Sequence, residues 1–159
     1  MFRNKRLMII IGIVLALGFL VRPPVSGGKL TSPYGIRFFA GRVFHNGSDI
    51  ALPVGSPVKP VSWGTIKETG FTESKGNFIS ISHLSIIQSH YMHLDTITST
   101  VGQSVSHSTV IGTVGNTGLS TGPHIHFEIR VLGIPLPPYL LCLPGIIFKF
   151  VTDIFQRAS

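Results

Sequence analysis

Polar and apolar residues alternate without a break in His124-Ile125-His126-Phe127-Glu128-Ile129, the segment that most strongly indicates a β fold. Because successive side chains of a β-strand point to opposite faces, His124, His126 and Glu128 would share one face and the apolar residues the other. The two imidazoles would lie about 7 Å apart at their α-carbons, close enough to converge on one site. The pattern predicts a strand that carries chemically active side chains. Two solvent-facing strand histidines are the alternative interpretation.

The chain around this strand has the composition of an all-β domain. Residues 29–130 are rich in Gly, Ser, Thr and β-branched residues, with turn signals at short spacing. Short apolar runs lie between the turns, among them Gly64–Lys67, Asn77–Ser82 and Thr109–Gly112. No stretch keeps a period of 3.6 residues over three turns, so the sequence predicts short strands separated by Gly/Pro turns.

The first 28 residues have the form of an export signal. A basic head at residues 3–6 precedes Leu7–Val21, an uninterrupted run of 15 apolar residues, and Arg22-Pro23-Pro24 ends the run. Such a segment is a cleaved signal peptide or a signal anchor, although 15 residues is short against the ~20 of a spanning helix. A buried core helix is a further interpretation. The basic flank predicts that residues 29–159 lie outside the cytoplasm, either secreted or anchored.

The C-terminal end differs in composition from the body of the chain. Residues 131–144 carry four prolines, which exclude a helix or a central strand there. Residues 145–156 have apolar residues at helical spacing. They predict a short amphipathic helix that packs on the domain or lies on a membrane surface.

The distribution of charge excludes a nucleic-acid binder, and the cysteine content excludes sites that need paired cysteines. The chain carries a net charge of +7, of which +4 lies in residues 1–28 and +2 in residues 29–130. A nucleic-acid binder carries its basic stripe on the folded surface, so we expect no nucleic-acid partner. The single cysteine, Cys142, excludes an intrachain disulfide and a zinc site built on cysteine pairs.

Two further motifs carry metal-binding or catalytic residue types. His45-Asn46-Gly47-Ser48-Asp49 places an imidazole and a carboxylate around an Asn-Gly turn signal. With one more imidazole they would form a zinc site that leaves one tetrahedral position open, as catalytic sites do. A turn histidine with a capping aspartate is the alternative. The other motif, Tyr91-Met92-His93-Leu94, adds a histidine that taken alone indicates only a strand residue.

Together these motifs resemble the LytM/lysostaphin-type zinc endopeptidases, which cut peptide bonds in peptidoglycan. The resemblance runs in order from about Ser32 to Leu143. Its matching segments are Phe44–Ala51, Pro53–Val58, Tyr91–Leu94, Val110–Gly118 and Ser120–Arg130.

The resemblance implies a compact all-β domain of antiparallel sheets with its site in a groove. It implies that His45, Asp49 and His126 hold one zinc ion, and that His93 and His124 serve in catalysis with their individual roles open. Glu128 would orient a ligand or form a surface salt bridge. Phe38 and Phe39 stand where some relatives carry a tyrosine that helps the oxyanion.

The implied organisation has three parts: a signal peptide or signal anchor with a short linker at 1–28, a zinc peptidase domain at 29–143 and an apolar or amphipathic tail at 144–159. The implied activity is hydrolysis of peptidoglycan peptide cross-links by metal-activated water. The alternative is a non-catalytic member that binds the wall or activates another hydrolase. We expect a monomer that meets the membrane only through residues 1–28, if these are retained. Among the other histidines, we expect His83 to be structural and His90 and His107 to lie on the surface.

Overall fold

The computed structural model describes residues 21–39, 41–83 and 85–138, and in these ranges the chain is built from β-strands and turns. The strands are β1 (Lys29–Ser32), β2 (Gly35–Phe39), β3 (Arg42–His45), β4 (Ser48–Ala51), β5 (Pro57–Val58), β6 (Gly64–Thr72), β7 (Gly76–His83), β8 (Ile87–Ile97), β9 (Ser104–Val105), β10 (Gly112–Val114), β11 (His124–Val131) and β12 (Ile134–Leu136). Among the described residues no helix has the length and apolarity needed to cross a bilayer. The helices predicted within residues 1–28 and 145–156 fall outside the described part of the chain.

One antiparallel sheet of ten strands makes up most of the domain. Its main path runs β1-β4-β11-β8-β7-β6-β9, while β10 pairs with β5 and β8, and β12 pairs with β11. The hairpin β2-β3 forms a separate two-stranded sheet. The prediction of an all-β domain with antiparallel pairing is therefore confirmed.

One of the sequence-based strand predictions differs from the structure in detail, whereas the exclusion of a central strand from the proline-rich stretch agrees with it. The run Thr109–Gly112 was expected to be a strand, but β10 begins only at Gly112. The Thr109 backbone N–H donates to the Ser106 carbonyl at 2.9 Å, so a turn occupies the preceding residues. The proline-rich stretch does contain strand β12, which holds Pro135 at an edge where no ladder hydrogen bond is lost.

Strand β11 lies between β4 and β8 and organises the core. Its apolar residues Ile125, Phe127 and Ile129 are at most 2% exposed. They pack in one cluster with side chains from the neighbouring strands, and Tyr91 meets Phe127 with ring centroids 5.4 Å apart. The predicted alternation therefore places one face of β11 in the core and leaves its histidines and Glu128 on the other.

The chain enters the domain along the segment that precedes β6. The Arg22 backbone N–H donates to the Val61 carbonyl at 2.8 Å, and the Lys59 backbone N–H donates to the Pro24 carbonyl at 2.8 Å. Val25 is only 6% exposed and belongs to the core cluster. Residues 21–25 are thus packed onto the folded domain.

A buried chain of polar groups fixes the same region on its inner side. His83 donates from Nδ1 to the Trp63 carbonyl at 2.7 Å, and its Nε2 lies 2.7 Å from the Ser89 hydroxyl. That hydroxyl is 3.0 Å from Tyr91 Oη, which accepts the Val61 backbone N–H at 2.9 Å. His83 is 4% exposed and lies away from the groove described below. These hydrogen bonds begin at Trp63 and end at Val61, so they hold residues 61–63 against β7 and β8.

Removal of the Tyr91 hydroxyl tests this network. In Tyr91→Phe the buried Val61 N–H loses its acceptor, so we expect the free energy of unfolding to fall by ~1–3 kcal/mol. The control is Thr98→Val, which removes a hydroxyl that bonds the Val110 carbonyl at an exposed position and should change stability far less. Denaturant unfolding of both variants measures the difference. Equal stability of the two variants would contradict the role given to this network.

Candidate active site

Three potential metal ligands meet where the end of β3 approaches the paired strands β4 and β11. His45 ends β3, Asp49 lies in β4, and His126 lies directly opposite Asp49 in the ladder between β4 and β11. One ligand atom from each residue lies within 4.8 Å of the other two, and all three residues are buried. The structure thus brings together the three residues that the resemblance gives as ligands, in a group that could hold a metal ion.

The hydrogen bonds of the two imidazoles direct one nitrogen of each ring to the same point. His45 donates from Nδ1 to the Pro33 carbonyl at 2.8 Å, which leaves Nε2 as the unprotonated nitrogen of a neutral ring. His126 turns Nε2 to Glu128 Oε1 at 3.0 Å, so that Nδ1 faces His45 Nε2 at 3.0 Å. Asp49 Oδ1 lies 2.8 Å from His126 Nδ1 and 3.2 Å from His45 Nε2.

The charge state of this cluster suits a cation. Burial alone would raise the pKa of Asp49, but the hydrogen bonds of His126 and His45 outweigh it and hold that pKa well below its ordinary value. Burial would lower the pKa of His126, but its hydrogen bonds to Asp49 and Glu128 raise it instead. The cluster thus favours an ionised Asp49, and binding of a cation would compete with protonation of His126.

Arg37 is a member of the site that sequence reasoning missed. From β2 its guanidinium donates to Asp49 Oδ2 at 2.9 Å and to the Ser32 hydroxyl at 2.8 Å. The contact fixes the carboxylate so that Oδ1 is turned to the two imidazoles. The only signal in the sequence is a lone arginine in an apolar strand, and nothing local connects it to a residue twelve positions on.

His93 reaches the site through a β-bulge in β8. Tyr91 pairs with Ile79 and Leu94 pairs with Asn77, so two residues of β8 oppose one residue of β7. His93 takes a φ of 62°, in the left-handed region that is strained for a residue with a side chain. Without the bulge, strand alternation would turn His93 to the core face. Its Nδ1 instead donates to the Thr117 carbonyl at 2.8 Å, beside the groove.

His124 stands next to His93 on the first residue of β11. The centroids of the two rings are 4.7 Å apart. His124 donates from Nδ1 to the Gly122 carbonyl at 2.8 Å, and its Nε2 lies 3.8 Å from Asp49 Oδ1. Burial, followed by the charges of the neighbouring histidines, lowers the pKa of His93 to about 4, so that ring is neutral at pH 7.

Four of the five residues line two neighbouring cavities that form a groove, while His45 is buried beside them. A cavity of about 310 Å³ is lined by residues that include Phe44, Lys75, His93, His126 and Glu128. A second cavity, of about 390 Å³, is lined by residues that include Asp49, His93, Ser120, Thr121 and His124. An extended peptide laid across the site would meet the metal ligands and both remaining imidazoles.

Gly47 lets the turn between β3 and β4 lie directly against β11. A Cβ at this position would stand 2.5 Å from the Phe127 carbonyl and 2.8 Å from His126 Nε2. Contacts that short do not occur, so only glycine fits beside this ligand. The Asn46-Gly47 turn therefore sets the position of His45 and Asp49 relative to His126.

Glu128 is buried behind the metal ligands rather than on the surface. It is 4% exposed, accepts from His126 at Oε1, and pairs through Oε2 with Arg130, whose Nε lies 2.7 Å away. Burial would raise the pKa of Glu128, but the contacts with His126 and Arg130 lower it to about 2. Glu128 therefore contacts His126, as the first interpretation requires, and its pairing with Arg130 involves a buried carboxylate rather than a surface one.

The expectation that His90 is a surface residue is wrong. It lies opposite Glu128 in the β8–β11 ladder and its Nδ1 is 2.8 Å from the Ser80 hydroxyl. Burial is the main cause that lowers the pKa of His90 to about 4. His107 is likewise only partly exposed. The alternation of polar and apolar residues along a strand does not indicate that the face of the sheet opposite the core is itself covered.

Comparison with known proteins identifies the family. The sequence profile described as peptidase family M23 matches residues 43–138, which span every residue of the candidate site except Arg37. The chain belongs to peptidase family M23. The resemblance to LytM/lysostaphin-type enzymes is thereby confirmed.

Curated relatives of this M23 chain include enzymes whose names refer to peptidoglycan. It is 37% identical over 131 residues to the DD-carboxypeptidase/endopeptidase Mpg of Neisseria meningitidis, which covers 80% of this chain and 30% of that protein. It is 41% identical over 92 residues to the peptidoglycan DD-endopeptidase ShyA of Vibrio cholerae, covering 58% of this chain and 21% of that protein. The chain thus spans less than a third of the length of these relatives.

Solved structures share the fold. A zinc-containing peptidase from Vibrio cholerae superposes with a TM-score of 0.70 at 35% identity, covering 75% of this chain and 39% of that one. The catalytic domain of lysostaphin from Staphylococcus simulans superposes with a TM-score of 0.66 at 30% identity, covering 79% of this chain and 92% of that one.

Glu128→Gln tests whether the buried carboxylate supports metal binding. The variant keeps an acceptor oxygen for His126 but loses the charge, so we expect metal affinity to fall about 10- to 100-fold. The matched control is Glu68→Gln, which removes the same charge from an exposed position on β6 and should leave affinity unchanged. Competition with a chromogenic zinc chelator measures both values. Equal affinities would show that Glu128 serves only its salt bridge with Arg130.

Proposed function

We propose that this M23 chain is a zinc-dependent endopeptidase that hydrolyses peptide cross-links of bacterial peptidoglycan. The observation that carries the proposal is the convergence of His45 Nε2, Asp49 Oδ1 and His126 Nδ1 in a groove that also holds two further imidazoles. The names of the relatives, which include DD-endopeptidases, support peptidoglycan as the substrate. A substrate in the cell wall would place the domain outside the cytoplasm.

The donor set fits zinc. Two neutral imidazole nitrogens and one carboxylate oxygen are common zinc ligands, and three protein ligands leave a fourth position for water or substrate. A zinc ion bound there would supply Lewis-acid activation of a water molecule and of a peptide carbonyl. His45, Asp49 and His126 would hold it, with Arg37 and Glu128 fixing two of the three ligands from behind.

His93 and His124 are the residues that we assign to proton transfer and charge stabilisation. Each donates its Nδ1 hydrogen to a backbone carbonyl, which fixes the ring and leaves Nε2 as the reactive nitrogen. A neutral ring can accept a proton from the attacking water and return it to the leaving amine. A protonated neighbour can hydrogen-bond the oxygen on which negative charge develops. Two adjacent imidazoles with matched anchoring can perform both tasks.

His126→Ala and His124→Ala separate the metal site from the catalytic residues. His126→Ala removes a ligand, so we expect the zinc content to fall from about one ion per chain to near zero. His124→Ala leaves the three ligands in place, so we expect zinc to be retained and peptidoglycan cleavage to fall by about 10²- to 10⁴-fold. Elemental analysis gives the zinc content, and mass spectrometry of fragments from purified peptidoglycan gives the cleavage.

The same experiment tests the alternative of a non-catalytic wall-binding protein. Stoichiometric zinc in the wild-type chain without cleavage of any purified peptidoglycan would overturn the enzymatic proposal. Full activity in both histidine variants would show that the site is wrongly assigned. Circular dichroism of each variant confirms that the sheet is intact before activity is compared.

A further inference from the structure

We propose that one end of the main sheet rests on a lipid bilayer, so that the groove faces away from the membrane. This end, called here the entry end, consists of the start of β6, the turn between β7 and β8 and the turn between β11 and β12. The inference concerns the surface of the folded domain, and it does not depend on the proposed function.

The sheet register places these three segments side by side. Gly64 begins β6 and the next residue, Thr65, pairs with Ser82 near the end of β7. His83 pairs with Ile87 across the β7–β8 turn. Ile87 in turn pairs with Val131, which precedes the β11–β12 turn. Since β6, β7, β8 and β11 are consecutive neighbours, the three segments form one edge of the domain.

The apolar N-terminal run ends at this same edge. Val21 is the last residue of the run of 15 that begins at Leu7. It lines a small cavity beside the entry end. The other lining residues include Val61, His83, Ile87 and Ile129. The Arg22 backbone then bonds Val61 at 2.8 Å, which fixes the point of entry. Any bilayer that holds the apolar run is therefore brought against this end of the sheet.

Exposed apolar side chains occupy the surface around the point of entry. Trp63 is 60% exposed immediately before β6, and Leu132 and Ile134 are 66% and 64% exposed at the β11–β12 turn. Tryptophan is enriched where proteins meet the membrane–water interface. Exposed apolar residues also occur on the β2–β3 hairpin, where Phe44 borders the groove.

The charges near the entry end suit an anionic membrane surface. Arg22 and Lys59 are exposed beside the entering chain. The described acidic residues lie elsewhere: Asp49 and Glu128 in the site, Glu73 in the β6–β7 turn at the opposite end, and Glu68 and Asp95 within β6 and β8. Basic residues near anionic headgroups are attracted to the membrane surface electrostatically.

The arrangement sets the distance between the membrane and the groove. His93 lies six residues along β8 from Ile87, which corresponds to about 20 Å of strand. The β6–β7 turn, whose Ser74 and Lys75 line the groove, lies at the far end of the sheet from the point of entry. A domain seated on its entry end would present its groove about 20 Å above the bilayer.

Trp63 provides the test, because it is the only tryptophan of the chain. The full chain is reconstituted in phosphatidylcholine/phosphatidylglycerol vesicles, with and without brominated acyl chains, and compared with the same chain in detergent. We expect the emission of Trp63 to shift to shorter wavelength in vesicles, to be quenched by the brominated lipid and to be protected from aqueous iodide.

The control moves the tryptophan to the other end of the same strand. In Trp63→Phe/Phe71→Trp the indole occupies a site that is equally exposed, at 61%, and about 25 Å further along β6. Its emission should stay at long wavelength, be quenched by iodide and be unaffected by brominated lipid. Introduction of a charge by Leu132→Asp, in the chain that retains Trp63, should weaken the lipid quenching at least twofold.

Any one of the following results would overturn the proposal. One is equal iodide quenching of Trp63 in vesicles and detergent, which would mean that the domain extends freely into solvent. Another is protection of Trp63 that depends on protein concentration and not on brominated lipid, which would indicate contact with a second copy. A third is recovery of the chain from producing cells with residues 1–21 removed. A fourth is failure of the full chain to remain with the vesicles.

Discussion

The pairing of β11 with β4 is the constraint on which the rest of the site depends. It places His126 opposite Asp49, and the Asn46-Gly47 turn brings His45 to the same point because only glycine fits against β11 there. The apolar half of β11 meanwhile fills the core. A shift of one residue in this ladder would expose the core residues and bury the ligands on the wrong face. The same register therefore fixes both the core packing and the approach of the three candidate ligands.

Local sequence patterns predict the two faces of β11 and the approach of His45 to Asp49 well, because each depends on residues that are close together in the chain. Alternation in residues 124–129 sets the two faces of β11, and the spacing of His45 and Asp49 around a turn sets their approach. The position of His93 could not be predicted in this way, because strand alternation places it on the core face. A bulge in β8 reverses that, and the residue takes a strained φ of 62° to reach the groove.

Other features depend on contacts between distant segments, which no local pattern contains. Arg37 joins the site only because the β2–β3 hairpin folds over Asp49. His90 is covered because the neighbouring strands carry Ser80 and Glu128 against it. Residues 21–25 pack onto the domain through backbone hydrogen bonds with residues 59–61, which composition does not reveal.

His45 at the end of β3, together with Asp49 and His126 on the paired strands β4 and β11, should hold one zinc ion. Anomalous diffraction at the zinc edge, from crystals of the chain purified with zinc, measures where the metal lies. We expect one peak per chain at about 2.0–2.2 Å from His45 Nε2, Asp49 Oδ1 and His126 Nδ1. A peak bound through His126 Nε2, or one held by a different set of side chains, would contradict this assignment.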